Sequence, residues 1–89
     1  MEEVYKPIIK FEEKYLISNY GNIKSIKTNK ILKKQIINDG YLSTTLCGKP
    51  HMIHKLVIEN FSNEKKSNVV DHIDGNKHNN YISNLRHTT

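Results

Sequence analysis

At 89 residues the chain has the length of one small domain with a modest core, and large interior pockets are not expected of it. Its 14 Lys and Arg against 9 Asp and Glu give a formal charge of +5, which favours polyanionic partners over a Debye length of about 8 Å at physiological salt. The single cysteine, Cys47, excludes an internal disulfide, and no apolar run has the length of a signal peptide or membrane span, so a soluble, cytoplasmic protein is expected.

The charge is carried almost entirely by lysine, Arg86 being the one arginine, and lysine meets phosphate as a diffuse point charge. The abundance of Ile, Lys and Asn is equally consistent with a compositional bias of the source genome.

In chain order, "KYLIS" (Lys14 to Ser18) and "NIKSIKT" (Asn22 to Thr28) read as strands flanking "NYG", where Gly21 can take positive φ at little cost. "KILKKQI" (Lys30 to Ile36) and "YLSTTLC" (Tyr41 to Cys47) flank a second hairpin signal, "NDG", which ends at Gly40. Alternation is clearest in the last of these, where Leu42, Thr44 and Leu46 share a face. The character changes near His51. Ile53, Leu56, Val57 and Phe61 recur at three- and four-residue steps and predict an amphipathic helix from about His54 to Phe61. "SNEKKSN" (Ser62 to Asn68) reads as a polar loop and "VVDHI" (Val69 to Ile73) as a short β-branched strand. "DGNKHNN" (Asp74 to Asn80) is turn chemistry, and "NLRHTT" (Asn84 to Thr89) can return beside the strand before it.

Asp71 and His72 are adjacent at the end of that strand. A carboxylate is a hard oxygen ligand for magnesium or manganese, and a neutral imidazole can take a proton from water. Together they are parts of a metal-assisted phosphodiester hydrolase. Taken alone, the pair reads more readily as a turn cap and a surface histidine.

The surrounding residues alter that balance. "VVDHIDGNKHNNYISNL" resembles, without gaps, the motif of the HNH endonucleases of phage and intron-borne homing type. Upstream, "IHKLVIENF" (Ile53 to Phe61) is similar to the helix preceding that motif. "YKPIIKFEEKYLISNYGNIKSI" (Tyr5 to Ile26) resembles the NUMOD4 module often joined to these nucleases, with Tyr5 where tryptophan is usual, and "DGYLSTTL" (Asp39 to Leu46) fits the strand linking the two. The resemblance implies an α+β fold: small antiparallel β-hairpins, then one helix and a ββα-metal (HNH) motif that is incomplete at its C-terminal end. It divides the chain into a NUMOD4-like β-rich module, 1–48, and an HNH motif, 49–89, in one compact unit.

By the same resemblance His72 is the general base, Asp71 a ligand of Mg2+ or Mn2+, and Asn84 the residue that ties the loop and holds His72. Asp74, Gly75, Asn76, Asn79 and Asn80 structure the loop, and His54 has a packing or bracing role. The implied partner is double-stranded DNA, whose phosphates would be followed by Lys24, Lys27, Lys30, Lys33, Lys34, Lys55, Lys77 and Arg86; their spacing defines no continuous stripe. The family's third signature residue falls, by its usual spacing, a few residues past Thr89, so within these residues the metal is expected to be held by Asp71, phosphate and water. His87 as a substitute ligand is disfavoured. So is a zinc site from His51, His54, His72, His78 and Cys47, whose spacings match zinc patterns only loosely.

Two functions follow. One is a metal-dependent DNA endonuclease that nicks by hydrolysis, acting in a host cytoplasm if phage-encoded. The other is a catalytically inactive HNH-derived module that binds or inhibits, with a host protein or nucleotide ligand as partner. Val69, Val70, Ile73 and Leu85 need cover on a two-stranded hairpin, which the helix or a second copy of the chain, as a homodimer, would supply.

Overall fold

The computed structural model describes residues 2–62 and 69–88, without the side chains of 38, 69, 87 and 88. The expected polar loop from Ser62 to Asn68 falls, beyond its first residue, outside the described residues, as does the side chain of His87. The architecture is α+β: the described residues form three small antiparallel sheets, one α-helix and two short 3-10 turns.

Strands β1 (Tyr5–Pro7), β2 (Tyr15–Ser18) and β3 (Ile23–Ser25) form the first sheet in that order, with Ile17 opposite both Lys6 and Ile23. β2 and β3 are joined by the turn expected at "NYG". Gly21 takes φ 88°, and the Ser18 hydroxyl accepts from the amides of Tyr20 and Asn22, both at 3.1 Å. β1 was not expected, because three residues ending in proline show no alternation.

The expected strand from Asn22 to Thr28 stops at Ser25. Asn29 turns the chain through φ 57°, its amide donating to the Ser25 carbonyl at 2.8 Å. The strand expected over Lys30 to Ile36 is divided between two sheets. Its first part runs beside β3, where Leu32 donates to the Ile23 carbonyl at 2.7 Å; only β4 (Gln35–Ile36) pairs with β5 (Leu42–Leu46). Gln35 and Ile36 are exposed, so no buried face extends this pairing. The "NDG" turn is as expected, Asp39 and Gly40 having φ of 72° and 83°.

β6 (Lys49–Met52), also unexpected, pairs with β5 across a turn in which Cys47 and Gly48 take φ of 49° and 82°. Two successive left-handed residues are what a two-residue hairpin connection requires. β6 is the outer strand of the order β4-β5-β6, and Pro50 stands on it opposite Thr45.

Helix α1 (Ile53–Phe61) follows directly and begins one residue before the expected start. Ile53, Leu56 and Val57 are buried as their spacing predicts, and Ile58 joins them. Asn60 ties the helix to the turn after β1, accepting from the Ile9 amide at 2.9 Å and donating to the Leu56 carbonyl at 2.8 Å.

β7 (Val69–His72) and β8 (Leu85–Thr88) form the last sheet, with Asp71 opposite Arg86 and His72 opposite Leu85. α1 packs on both strands. Leu85 is in the core and Val70 lies against it, whereas Ile73 stays exposed. One cluster gathers Ile8, Ile17 and Ile23 from the first sheet region, Leu46 from β5, the helix face, and Leu85 from β8. No helix among the described residues is long and apolar enough to cross a membrane.

Candidate nuclease site

Between β7 and β8 the chain is held by side chains, since a segment this polar has no core of its own. The Asp74 carboxylate accepts from the Asn76 amide (2.8 Å) and Asn84 Nδ2 (2.9 Å) through Oδ1, and from Asn79 Nδ2 (2.8 Å) through Oδ2. These contacts, Asn79 first, hold its carboxyl below the usual carboxylate range. Asn84 completes the brace: its Oδ1 accepts from the Asp74 amide (3.1 Å), its Nδ2 also donates to the Asn79 carbonyl (2.9 Å), and its own carbonyl accepts from the Ile73 amide (2.8 Å). Gly75 turns the loop at φ 77°, its amide donating to the His72 carbonyl at 2.9 Å, and Asn76 Oδ1 accepts from the His78 amide at 3.0 Å.

His72 stands at the end of β7 and is 6% exposed. Its Nε2 lies 2.8 Å from Oδ1 of the buried Asn80. An amide oxygen only accepts, so this contact requires the proton on Nε2 and leaves the lone pair on Nδ1. The ring is flanked by His54, with centroids 5.1 Å apart, and by Tyr41 at 5.9 Å.

His54 is itself buried on α1 against Tyr41, and its Nδ1 has no hydrogen-bond partner. Burial, with smaller contributions from His72 and Lys55, pushes its pKa down to about 4. The folded protein therefore binds the His54 proton less readily than the unfolded chain does. The resulting stability is complete above about pH 6.5 and is lost as pH falls toward 4. Denaturant unfolding of His54→Gln beside the original chain should show this difference directly. The original chain should lose roughly 2–3 kcal/mol more than the variant across that window.

Asp71 precedes His72 and, as strand alternation demands, is half-exposed where His72 is buried. Arg86 on the neighbouring strand contacts its Oδ2 twice, through Nη2 at 2.9 Å and Nε at 3.1 Å. Both partners are largely solvated, so Arg86→Gln should change stability by no more than about 0.5 kcal/mol, measured by thermal or urea unfolding. A partly open carboxylate such as that of Asp71 is of the chemical type that suits a hard divalent cation. Among the described residues no group of three or more His, Cys, Asp or Glu side chains gathers to hold a metal. Of the residues weighed for zinc, His54 and His72 are neighbours, while His51 packs on Phe11, His78 is exposed, and Cys47 sits in the β5–β6 turn.

The basic residues are spread over several environments. Lys24 lies 4.5 Å over the Tyr5 ring, and Lys34 donates to Asn22 Oδ1 at 2.8 Å in a setting whose desolvation lowers its pKa. Lys77 is engaged within the fold, donating to the Asp39 carbonyl and covering the Tyr41 ring at 4.7 Å. Lys27, Lys30, Lys33 and Lys55 are exposed. Sequence reasoning missed Tyr41 beside the histidines, and also the contacts joining the "NYG" turn to Asn80 and Tyr81. "NYG" signals positive φ, but nothing local signals what the turn touches.

The NUMOD4 motif model matches residues 3–47 and an HNH endonuclease model matches residues 51–89. The chain belongs to the HNH endonuclease family and carries a NUMOD4 motif. It is 43% identical over 90 residues to the DNA endonuclease I-HmuI of Bacillus phage SP01, a match covering 96% of this chain and 52% of that protein. An uncharacterized HNH endonuclease of Acanthamoeba polyphaga mimivirus is 41% identical over 96 residues, covering 98% of this chain and 24% of the relative. A solved structure described as DNA binding and cleavage by the HNH homing endonuclease I-HmuI superposes with a TM-score of 0.85 at 42% identity. That match covers 100% of this chain and 53% of the other. The chain thus spans about half the length of I-HmuI.

Proposed function

We propose that the protein hydrolyses phosphodiester bonds in double-stranded DNA, nicking one strand per event. His72 acts as general base and Asp71 anchors Mg2+ or Mn2+ with help from DNA phosphate and water. The observation that carries this reading is the buried Asn80 contact to His72 Nε2, which presents Nδ1 as the basic nitrogen. Nδ1 takes a proton from water, the oxygen attacks phosphorus, and the bond from phosphorus to the leaving sugar oxygen breaks. When bound, the cation stabilises negative charge on the phosphate and the leaving oxygen. Asn84 and Asp74 brace the loop that follows His72, and the exposed lysines follow the phosphate backbone. The similarity to a protein whose solved structure is described as binding and cleaving DNA supports the assignment.

Incubation of the protein with supercoiled plasmid is expected to yield open circles with magnesium or manganese and none with chelator. Plasmid left intact after prolonged incubation with manganese would overturn the proposal.

One observation favours the second reading, a catalytically silent binding or inhibitory module: Asp71 is already ion-paired with Arg86. That reading predicts a stable complex with a host protein or nucleotide ligand that His72→Ala leaves intact.

A further inference from the structure

The "NYG" turn and the segment after the HNH loop meet at three places. The Ile82 amide donates to the Asn19 carbonyl at 2.8 Å. The rings of Tyr20 and Tyr81 stack at 4.4 Å with 10° between their planes. Gly21 lies against Asn80, the partner of His72. A Cβ added to Gly21 would come 2.9 Å from Asn80 Cβ and 3.3 Å from its carbonyl oxygen, with Ile53 Cγ2 at 3.4 Å. Neither Asn80 atom is the far end of a side chain, so the Gly21 turn and Asn80 have to move apart. Asn80 is 3% exposed and its Oδ1 fixes His72 Nε2, so its displacement is passed to the imidazole.

We infer that the turn of the N-terminal module is a positioning element for His72, acting through Asn80: Gly21 leaves the space in which Asn80 sits, and Asn80 selects the tautomer and orientation of the ring. Two residues about sixty positions apart thereby prepare one nitrogen. As a statement about catalysis this rests on His72 being the base. As a statement about the ring it does not.

The structure supplies its own control. Gly48 has nearly the same φ as Gly21, 82° against 88°, but an added Cβ there meets nothing within 4 Å. Gly48→Ala carries the backbone strain alone, and Gly21→Ala carries strain together with the push on Asn80.

The test is the His72 tautomer, read by long-range proton–nitrogen correlation NMR on the full 15N-labelled chain at a pH where the ring is neutral, the signal being assigned by its loss in His72→Gln. The original chain and Gly48→Ala should show the Nε2–H form alone. Asn80→Ala and Gly21→Ala should both show the Nδ1–H form appearing. Tyr81→Ala, which removes the ring stack without strain, should do so to a smaller extent and stands in if Gly21→Ala does not fold. An Nδ1–H form in the original chain, or variants at Gly21 and Tyr81 indistinguishable from Gly48→Ala, would overturn the inference. In the nicking assay Asn80→Ala should lower kcat about 10- to 100-fold with KM unchanged. If the original chain does not nick at all, the nuclease reading falls while the tautomer result still decides this one.

Discussion

Replacement of His72 by alanine is expected to lower the rate of metal-dependent plasmid nicking by about 10²- to 10⁴-fold, the range attributable to a positioned general base. DNA affinity, measured by gel shift in chelator, should be nearly unchanged. His72 is 6% exposed and offers little surface to DNA, whereas Lys27, Lys30, Lys33 and Lys55, proposed to follow the phosphates, are exposed. The substitution leaves Asn80 Oδ1 without its partner in a buried place, so circular dichroism must accompany the assay to show that the fold survives. A rate that falls only in proportion to folded protein, or one that does not fall, contradicts the role given to His72.

The second large effect is on stability. Asn84→Ala removes one acceptor and two donor contacts, to the Asp74 amide, the Asp74 carboxylate and the Asn79 carbonyl. Asn84 is 9% exposed, so little water replaces them. Taking the ordinary net worth of a hydrogen bond, the loss should be about 2–4 kcal/mol in urea unfolding, a large share of what a small domain has. Asn84→Asp keeps the acceptor for the Asp74 amide but turns a second carboxylate toward Asp74. It should therefore be no more stable than the alanine variant at neutral pH and should recover as acid protonates the pair. A loss below about 1 kcal/mol for Asn84→Ala would show that the loop is held by its backbone alone.

What could be read from the sequence was what neighbouring residues decide among themselves. Asp39, Gly40 and Gly21 sit at positive φ where "NDG" and "NYG" place them, and Ile53, Leu56 and Val57 are buried where three- and four-residue steps put them. Asp74, Asn76, Asn79 and Asn84, whose spacing resembles the family's loop, are joined by hydrogen bonds across it. The failures are of long range or short length. β1 and β6 have three and four residues, each with a proline, and are strands only because β2 and β5 lie beside them. Residues 30–36 looked like one strand, but their first part is held by β3 and their last by β5. Within the site, the His72–Asn80 bond spans eight positions of irregular chain, and the Gly21–Asn80 approach joins the two family motifs. No periodicity encodes either. Charge was the least informative signal, because a lysine bound into the fold, such as Lys77, has the same letter as one facing solvent.

Pro50 has a consequence for how molecules of this protein meet one another. The two-residue turn makes Leu46 and Lys49 the closing, hydrogen-bonded pair of the hairpin, so Thr45 and Pro50 form the next, non-bonded pair. The backbone nitrogen of residue 50 therefore points away from β5, toward the open side of the sheet. Proline costs no internal ladder bond there and removes a donor that an approaching strand would need. Three small sheets among the described residues leave many unpaired margins for a chain of this size. This one is blunted, which favours dispersed molecules over strand-to-strand association when the protein is concentrated.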